Sequence, residues 1–310
     1  MKKHISLIVA FFLGFSANSL TFSGAVFPII SYSNQAFVDK IYDDDYMNSM
    51  LEWNSSYLFK AGVGAELGIW NFALSTSAKF NIPAECGFLY DSDWRTEGIK
   101  TNYATENLCT KFGCDFDLNL KYQFSLPHDF EVLPVISVKN NYVKLAPKDT
   151  YIYGWCGDTS HTGLSQDVSW DSEYAKLVKK YGIKLNTNIF GVYFGAQAQK
   201  RFEKFYLSLS AQISPYTYIF SIDHHLGKTG GTYYQMEQKA FFSAWNFDFS
   251  SGYFINQHNS LNLNLTANFC PETRGTLYNG YDKIGKTLLY ESSSFAFTTF
   301  LVDFYWKFIF

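Results

Sequence analysis

The chain has 310 residues, of which 20% are aromatic and only 17% are charged. With 25 basic against 28 acidic residues the net charge is -3, which argues against a nucleic-acid partner, because phosphate recognition needs clustered positive charge. The aromatic content also argues against a disordered chain, since aromatic side chains bury surface readily.

The first segment has the pattern of an export signal. Lys2 and Lys3 precede an apolar run from Ile5 to Phe15, and Ala17-Asn18-Ser19 forms a small-residue cleavage site. We predict a signal peptide over residues 1–19 and one mature domain over residues 20–310. No later stretch supplies the roughly 18 apolar residues in a row that a membrane helix needs.

Export to an oxidising compartment would allow cysteines to pair, and the chain has Cys86, Cys109, Cys114, Cys156 and Cys270. The odd count leaves at least one of them unpaired within a monomer. Cys109 and Cys114 are close enough in sequence to close a small loop. Because the spacing contains no CxxC signature, we predict no metal ion, and we predict no cofactor.

Apolar and polar residues alternate along many segments of the mature chain, as they do from Phe116 to Leu126 and from Leu261 to Phe269. A period of two indicates strands with one apolar and one polar face. The predicted strands cover residues 20–34, 49–67, 71–93, 114–126, 131–153, 178–199, 205–223, 232–254, 260–270 and 292–310.

Short and long connections alternate between these ten strands. The short ones fall at residues 68–70, 127–129, 201–204 and 256–259, and the long ones at 35–48, 94–113, 154–177, 224–231 and 271–291. This asymmetry is typical of barrels in bacterial outer membranes, whose long loops face outside.

The final strand alternates up to a terminal Phe310, which resembles the C-terminal insertion signal of outer-membrane proteins. Together with the export signal and the long strands, it favours an all-β fold, a ten-stranded antiparallel transmembrane β-barrel with long extracellular loops. Lipid offers no water to unpaired backbone groups, so the sheet must close. The protein would lie in the outer membrane of a diderm bacterium. A secreted β-sandwich with shorter strands is the alternative.

Two pairs of ionisable residues lie where outward-running strands end. Asp91 and Asp93 share the polar, inward face of the third strand, and Asp223 and His225 end the seventh. Simple alternation would turn Asp223 towards lipid, so we predict a β-bulge at Ser214-Pro215 that turns the later residues inward. Strands three and seven lie opposite each other in a ring of ten.

An imidazole and carboxylates across a water-filled gap suit water activation, in which the imidazole takes a proton and a carboxylate orients it. Each motif alone has a structural interpretation. An Asp-x-Asp sequence is more often a solvated turn, and charged residues in a barrel are usually only a polar wall. The matching heights of the two pairs favour a catalytic site.

At these residues the sequence resembles the omptin family of outer-membrane endopeptidases. The likeness lies in Asp91-Ser92-Asp93-Trp94, in Asn102-Tyr103-Ala104 with Phe116-Asp117-Leu118-Asn119, in Asp223-x-His225 and in Leu51-Glu52-Trp53. The resemblance implies a ten-stranded barrel that cuts polypeptides beside basic residues. It implies that His225 is the general base, that Asp223 orients it, and that Asp91 and Asp93 bind the water or stabilise the tetrahedral intermediate.

The resemblance also implies substrate-binding positions, and here the chain departs from the family. Ser221 stands where the family has an acid that holds a basic side chain. Asp39 corresponds to a second acid of that pocket, and Glu97 to an acid on the other side of the scissile bond. The family's lipopolysaccharide-binding residues have no clear match around residues 142–148, so lipopolysaccharide as an activator has no motif here.

Two other functions fit the same composition. A catalytically silent barrel could act as an adhesin or invasin through its acidic mouth, and a small porin could fill its lumen with ion pairs among Lys60, Lys79, Glu66 and Glu85. The partners expected for the endopeptidase are polypeptides at the cell surface and outer-membrane lipid. It is expected to be a monomer.

Overall fold

The computed structural model describes residues 22–94, 102–152, 176–177, 182–226, 232–281 and 287–310. The predicted signal peptide lies outside the described residues, as do Glu97 and Cys156. Within the described part of the chain, no helix is long and apolar enough to cross a membrane.

The described chain is almost entirely β-strand. The strands are β1 (Phe22–Asp43), β2 (Tyr46–Ile69), β3 (Phe72–Asn81), β4 (Glu85–Asp93), β5 (Asn102–Tyr122), β6 (Phe124–Leu126), β7 (Phe130–Ile152), β8 (Lys176–Leu177), β9 (Ile183–Arg201), β10 (Phe205–His225), β11 (Thr232–Ala240), β12 (Ala244–Asn256), β13 (Asn259–Tyr281) and β14 (Thr287–Ile309). One short 3-10 helix, Pro127–Asp129, forms the predicted turn between β6 and β7.

Antiparallel pairing closes these strands into a ring of ten. β3 and β4 follow each other along one barrel strand, as do β5 and β6, and β11 and β12. β1 pairs with β2 on one side and with β14 on the other, so the sheet has no free edge between its first and last strands. The ten-stranded antiparallel barrel predicted from the sequence is therefore confirmed.

Several strands continue into segments predicted as long loops. β1 runs to Asp43, β5 begins at Asn102, and β13 and β14 fill most of residues 271–291. Above the lipid band the inward face mixes apolar and acidic residues, such as Phe37 and Asp39 on β1, and the outward face no longer meets lipid. The apolar contrast on which the period-two prediction relied is therefore lost there.

The outer face carries a wide apolar band with aromatic residues at both margins. Phe22, Trp70, Phe130 and Phe310 are exposed at the end where the short turns lie. β3, which spans the band, has 10 residues, close to the roughly 9–11 that a tilted transmembrane strand needs. An exposed apolar band that a strand of this length can span is what contact with lipid requires.

Irregular positions interrupt most strands at the far margin of this band. They are Tyr57 with φ of 63°, residues 82–84, the steps from Thr110 to Phe112, from Ile213 to Tyr216 and from Cys270 to Thr273, and residues 241–243. Such irregularities change which side chains point inward. Beyond them the barrel continues as a mouth formed by strand ends.

The lumen within the band is filled by ion pairs around a polar cavity of about 220 Å³. The pairs, by N to O distance, are Lys60–Asp115 at 2.6 Å, Lys79–Asp303 at 3.0 Å, Lys139–Asp117 at 3.3 Å and Lys307–Glu66 at 2.8 Å. The expected inward position of Glu85 is wrong. Its side chain is exposed and pairs with Lys148 at 2.5 Å, because the chain breaks at residues 82–84 and changes phase.

An apolar layer separates this charged lumen from the mouth. It consists of inward-facing residues that are almost fully buried, including Phe37, Trp53, Leu89, Leu108, Leu185, Phe295 and Phe297. An aqueous pore would have to pass both the ion pairs and this layer. The porin interpretation is therefore not favoured.

Cys109 and Cys114 do not pair. They lie on the single strand β5, and both are free thiols, as are Cys86 and Cys270. Five steps along a strand at about 3.3 Å each separate their Cα atoms by far more than the roughly 7 Å limit for a disulfide.

Candidate functional site

Asp91 and Asp93 point into the mouth from β4. Asp91 pairs in register with Leu51 of β2 and Ala104 of β5, and it shares its face with the fully buried Leu89. The bulge at Gly87, with φ of 114°, offsets the phase change at residues 82–84. A side chain at Gly87 would collide with the backbone of Asn54, so only glycine fits there.

Asp223 and His225 reach the same mouth from β10. The register between β9 and β10 shifts between Ile213 and Tyr216, which confirms the predicted bulge at Ser214-Pro215. Beyond it Thr217, Ser221 and Asp223 are buried on the inward face. The same alternation puts His225 inward and the adjacent His224 outward.

Each histidine packs against a different tyrosine of β11. The His225 ring meets the Tyr234 ring at a centroid distance of 4.9 Å and an angle of 70°. His224 stacks flat on Tyr233 at 4.0 Å on the outer face. The two neighbouring imidazoles therefore have separate environments.

The carboxylates from opposite sides of the barrel come within electrostatic reach of one another. Asp223 is almost fully buried, and burial is the main cause that raises its pKa well above the ordinary range. The negative charges of Asp39 and Asp91 raise the same pKa further. The structure thus brings Asp91 of β4, Asp223 of β10 and Asp39 of β1 into one acidic cluster.

Asp39 is held from below by a tryptophan. Trp53 Nε1 donates a hydrogen bond of 2.9 Å to Asp39 Oδ2. Burial raises the pKa of Asp39 to about 8, although this hydrogen bond opposes the rise. Trp53 is itself part of the apolar layer, so the layer is the floor of the mouth.

Three buried oxygens in this region lack a hydrogen-bond partner among the described residues: Asp39 Oδ1, Asp223 Oδ1 and Ser221 Oγ. A buried polar atom without a partner is costly, and a bound donor or water would relieve that cost. A donor-rich group, such as a cationic side chain, would suit them.

Sequence reasoning missed Glu106. It lies inward on β5, is 2% exposed, and accepts a hydrogen bond of 3.0 Å from the backbone N–H of Ile183. Burial raises its pKa to about 8. The only signal in the sequence was an acid within a segment predicted as a loop.

Within the described ranges, no group of three or more His, Cys, Asp or Glu has the arrangement of a metal site. The acidic cluster offers general acid–base groups and hydrogen-bond acceptors. Groups of this kind can transfer protons to and from a bound molecule.

No known family profile matches the sequence, and no curated protein sequence matches it. The fold does match a solved structure, that of the outer-membrane protease OmpT from Escherichia coli. The TM-score is 0.78 and the identity 13%, over 95% of this chain and 100% of that one. The chain shares the fold of this protease. The ten-stranded barrel fold that the sequence resemblance implied is thereby confirmed.

Two other barrels are matched more weakly. They are the translocator domain of the autotransporter NalP from Neisseria meningitidis, with a TM-score of 0.37, 7% identity and coverage of 99% and 95% of the two chains, and Neisserial surface protein A, with a TM-score of 0.27, 5% identity and coverage of 92% and 99%. These scores are too low to inform the site.

The raised pKa of Asp39 predicts how the stability of the barrel depends on pH. Its pKa is about 8 in the folded barrel against an ordinary value of 3.8, so between these values the folded state holds the proton more tightly than the unfolded state. Stability should therefore fall as the pH rises through this window. We expect a lower midpoint of urea unfolding at pH 8 than at pH 5, and a smaller difference in Asp39→Asn.

The exposed neighbour Asp43 on the same strand provides the control, because Asp43→Asn should leave the pH dependence unchanged. A parent and an Asp39→Asn variant with equal pH slopes would mean that Asp39 is not desolvated in the folded barrel.

Proposed function

We propose that the protein is an outer-membrane endopeptidase of omptin type, which hydrolyses peptide bonds by an Asp/His-activated water with its mouth facing outside the cell. The observation that carries the proposal is that the charge of Asp91 on one barrel wall raises the pKa of the buried Asp223 on the opposite wall, with Asp93 and His225 on the same inward faces. The OmpT-like fold supports the same proposal.

In the proposed reaction the His225 imidazole removes a proton from a water whose oxygen attacks the peptide carbonyl carbon. Asp223 orients the imidazole, and Asp91 and Asp93 bind the water or stabilise the tetrahedral intermediate. The imidazolium then returns the proton to the leaving amine as the C–N bond breaks. No covalent intermediate forms.

The acidic surroundings favour this base. Several carboxyls in one desolvated cluster cannot all be ionised without mutual repulsion. A positive charge that appears on His225 during the reaction would relieve the repulsion, and it would do so in a region of low effective dielectric. The cluster would thus stabilise the charge-separated state more than the resting state.

Substrate selection is proposed to involve Asp39, Ser221 and Glu97. The unpartnered oxygens of Asp39 and Ser221 would accept hydrogen bonds from a basic side chain next to the scissile bond. Ser221 brings no charge where the omptin family has an acid. The preference for Arg or Lys should therefore be weaker than two acids would give, and Ser221→Asp should strengthen it in a peptide-library profile.

The surroundings proposed for this enzyme are outer-membrane lipid around the apolar band and polypeptides at the cell surface as substrates, with a monomer as the working unit. Lipopolysaccharide is retained as a candidate activator. Neither a metal ion nor an organic cofactor has a role in the proposed chemistry.

The test is hydrolysis of a fluorogenic peptide with two adjacent basic residues by the purified barrel, with a metal chelator present and with or without lipopolysaccharide. We expect cleavage that the chelator does not inhibit. A folded barrel that binds host or bacterial surface polypeptides but cleaves neither the dibasic peptide nor a peptide library would support the adhesin or invasin alternative.

A further inference from the structure

Among the described residues, Ile183 and Lys184 at the start of β9 have no paired strand on the β7 side. The pairing of β7 with β9 ends at Leu145 and Leu185, while β7 continues beside β5 and β8. If the register continued, Pro147 would come opposite Ile183. Proline lacks the N–H that a ladder needs, which is consistent with the end of pairing before it.

Glu106 fills the gap that β7 leaves. Its Oε2 accepts the hydrogen bond of 3.0 Å from the Ile183 N–H, so a side chain from β5 takes the place of a missing strand carbonyl. A buried N–H without an acceptor would cost free energy, and this carboxyl removes that cost. At 2% exposure the group is shielded from water, which would otherwise compete for the bond.

The two ends of this hydrogen bond belong to the two halves of the candidate site. Glu106 pairs in register with Leu89, and Asp91 follows on the same face of β4 and pairs with Ala104. Ile183 pairs in register with His225 on β10. The bond therefore connects the wall that carries Asp91 to the strand beside His225 without passing through β7.

We propose that Glu106 is a positioning residue, a side-chain strut that fixes the spacing between the Asp91 wall and the His225 wall. The proposal rests on the proposed function for its catalytic consequence, but the strut itself does not depend on it. A displacement of about 1 Å between reacting groups can lower a rate by about 100-fold, so a loose strut would reduce turnover.

Because burial raises the pKa of Glu106 to about 8, the carboxyl is largely protonated at neutral pH. It therefore supplies an acceptor oxygen without a further negative charge in a mouth that is already acidic. Glutamine has the same shape, keeps the acceptor and never ionises, which makes it the matched substitution.

The experiment compares Glu106→Gln and Glu106→Met with the parent barrel. We expect Gln to keep kcat within about threefold, and Met, which has no carbonyl acceptor, to lower kcat by about tenfold or more with KM little changed. Amide hydrogen exchange of the segment that begins at Gly182 should be faster in the Glu106→Met variant than in the parent, and unchanged in the Glu106→Gln variant. Heat-modifiable electrophoretic mobility would show that both variants fold.

Three results would contradict the proposal that Glu106 is a strut. Equal exchange at the start of β9 in all three proteins would mean that the hydrogen bond does not hold this strand. A Gln variant as impaired as Met would assign the effect to charge, and a change in KM alone would make Glu106 a substrate contact. If the parent does not cleave peptides, the proposed function fails, while the exchange comparison still decides whether the strut exists.

Discussion

His225→Ala is expected to lower kcat for peptide cleavage by about 10²–10⁴-fold, the usual loss when a general base is removed. His224→Ala should leave the rate unchanged. The two residues are adjacent in sequence, yet the imidazole of His224 stacks on Tyr233 at the outer face, whereas that of His225 lies inward beside Tyr234. The measurement is steady-state cleavage of a dibasic fluorogenic peptide by the two reconstituted variants.

This pair of variants separates the role of the imidazole from general damage to the end of β10. Both substitutions remove the same atoms from the same strand. Similar losses in both would point to disturbed folding of the mouth, and an unaffected His225→Ala barrel would refute the assigned general base.

Lys79→Met should destabilise the barrel by about 3–5 kcal/mol, because removal of one partner leaves buried carboxylates without compensation. Lys79 is 2% exposed and lies 3.0 Å from Asp303 and 3.9 Å from Asp117. Methionine keeps most of the side-chain volume, so the loss reports on charge rather than on packing. The free energy of unfolding is measured by urea titration in lipid vesicles.

Lys148→Met is the matched control, since Lys148 forms an exposed ion pair with Glu85. Exposed pairs contribute about 0–1 kcal/mol, so the unfolding midpoint should hardly move. Equal effects at the two sites would contradict the view that the lumen is a desolvated ion-pair network.

The barrel could be predicted from the sequence because lipid imposes a strict pattern on each strand. Ten alternating segments separated by connections predict the number of barrel strands, and the phase change at Ser214-Pro215 predicts the bulge in β10. The pattern weakens above the lipid band, so the sequence predicts loops where the upper parts of β1, β5 and β13 lie.

On the third barrel strand, the alternation of inward and outward side chains explains why Asp91 and Asp93 are predicted correctly and Glu85 is not. The sequence predicts one uninterrupted strand over residues 71–93, whereas the structure has a break at 82–84 and a bulge at Gly87. The two irregularities cancel beyond Gly87, which leaves Asp91 and Asp93 inward. Glu85 lies between the two irregularities, where only the first has shifted the alternation, so its side chain points outward.

Side-chain contacts between strands could not be read from local patterns. The hydrogen bonds from Trp53 to Asp39 and from Ile183 to Glu106 join residues 14 and 77 positions apart. The first bond joins the paired strands β1 and β2 and depends on their register, whereas the second joins β9 to β5, which do not pair, and depends on how the strands meet around the mouth. Only the resemblance to the omptins singled out Asp39, and nothing singled out Glu106.

The vertical order of the interior gives a physical account of the proposed site. Ion pairs fill the lumen within the band, the apolar layer covers them, and the acidic cluster rests on that layer. The layer separates the lysines of the lumen from Asp39 and Asp223. Desolvated acids that repel one another are thereby held on the same inward faces as His225, an arrangement that costs stability and is typical of functional sites.

The central claim, that side chains from β4 and β10 act as one unit, is tested most directly by a double-mutant cycle in kcat. Asp91→Asn and His225→Ala are measured singly and together with the dibasic peptide. Residues that act together are strongly non-additive, so the double variant should be no more than about threefold slower than the slower single variant. Losses that multiply would mean that the two walls act independently and would contradict the account.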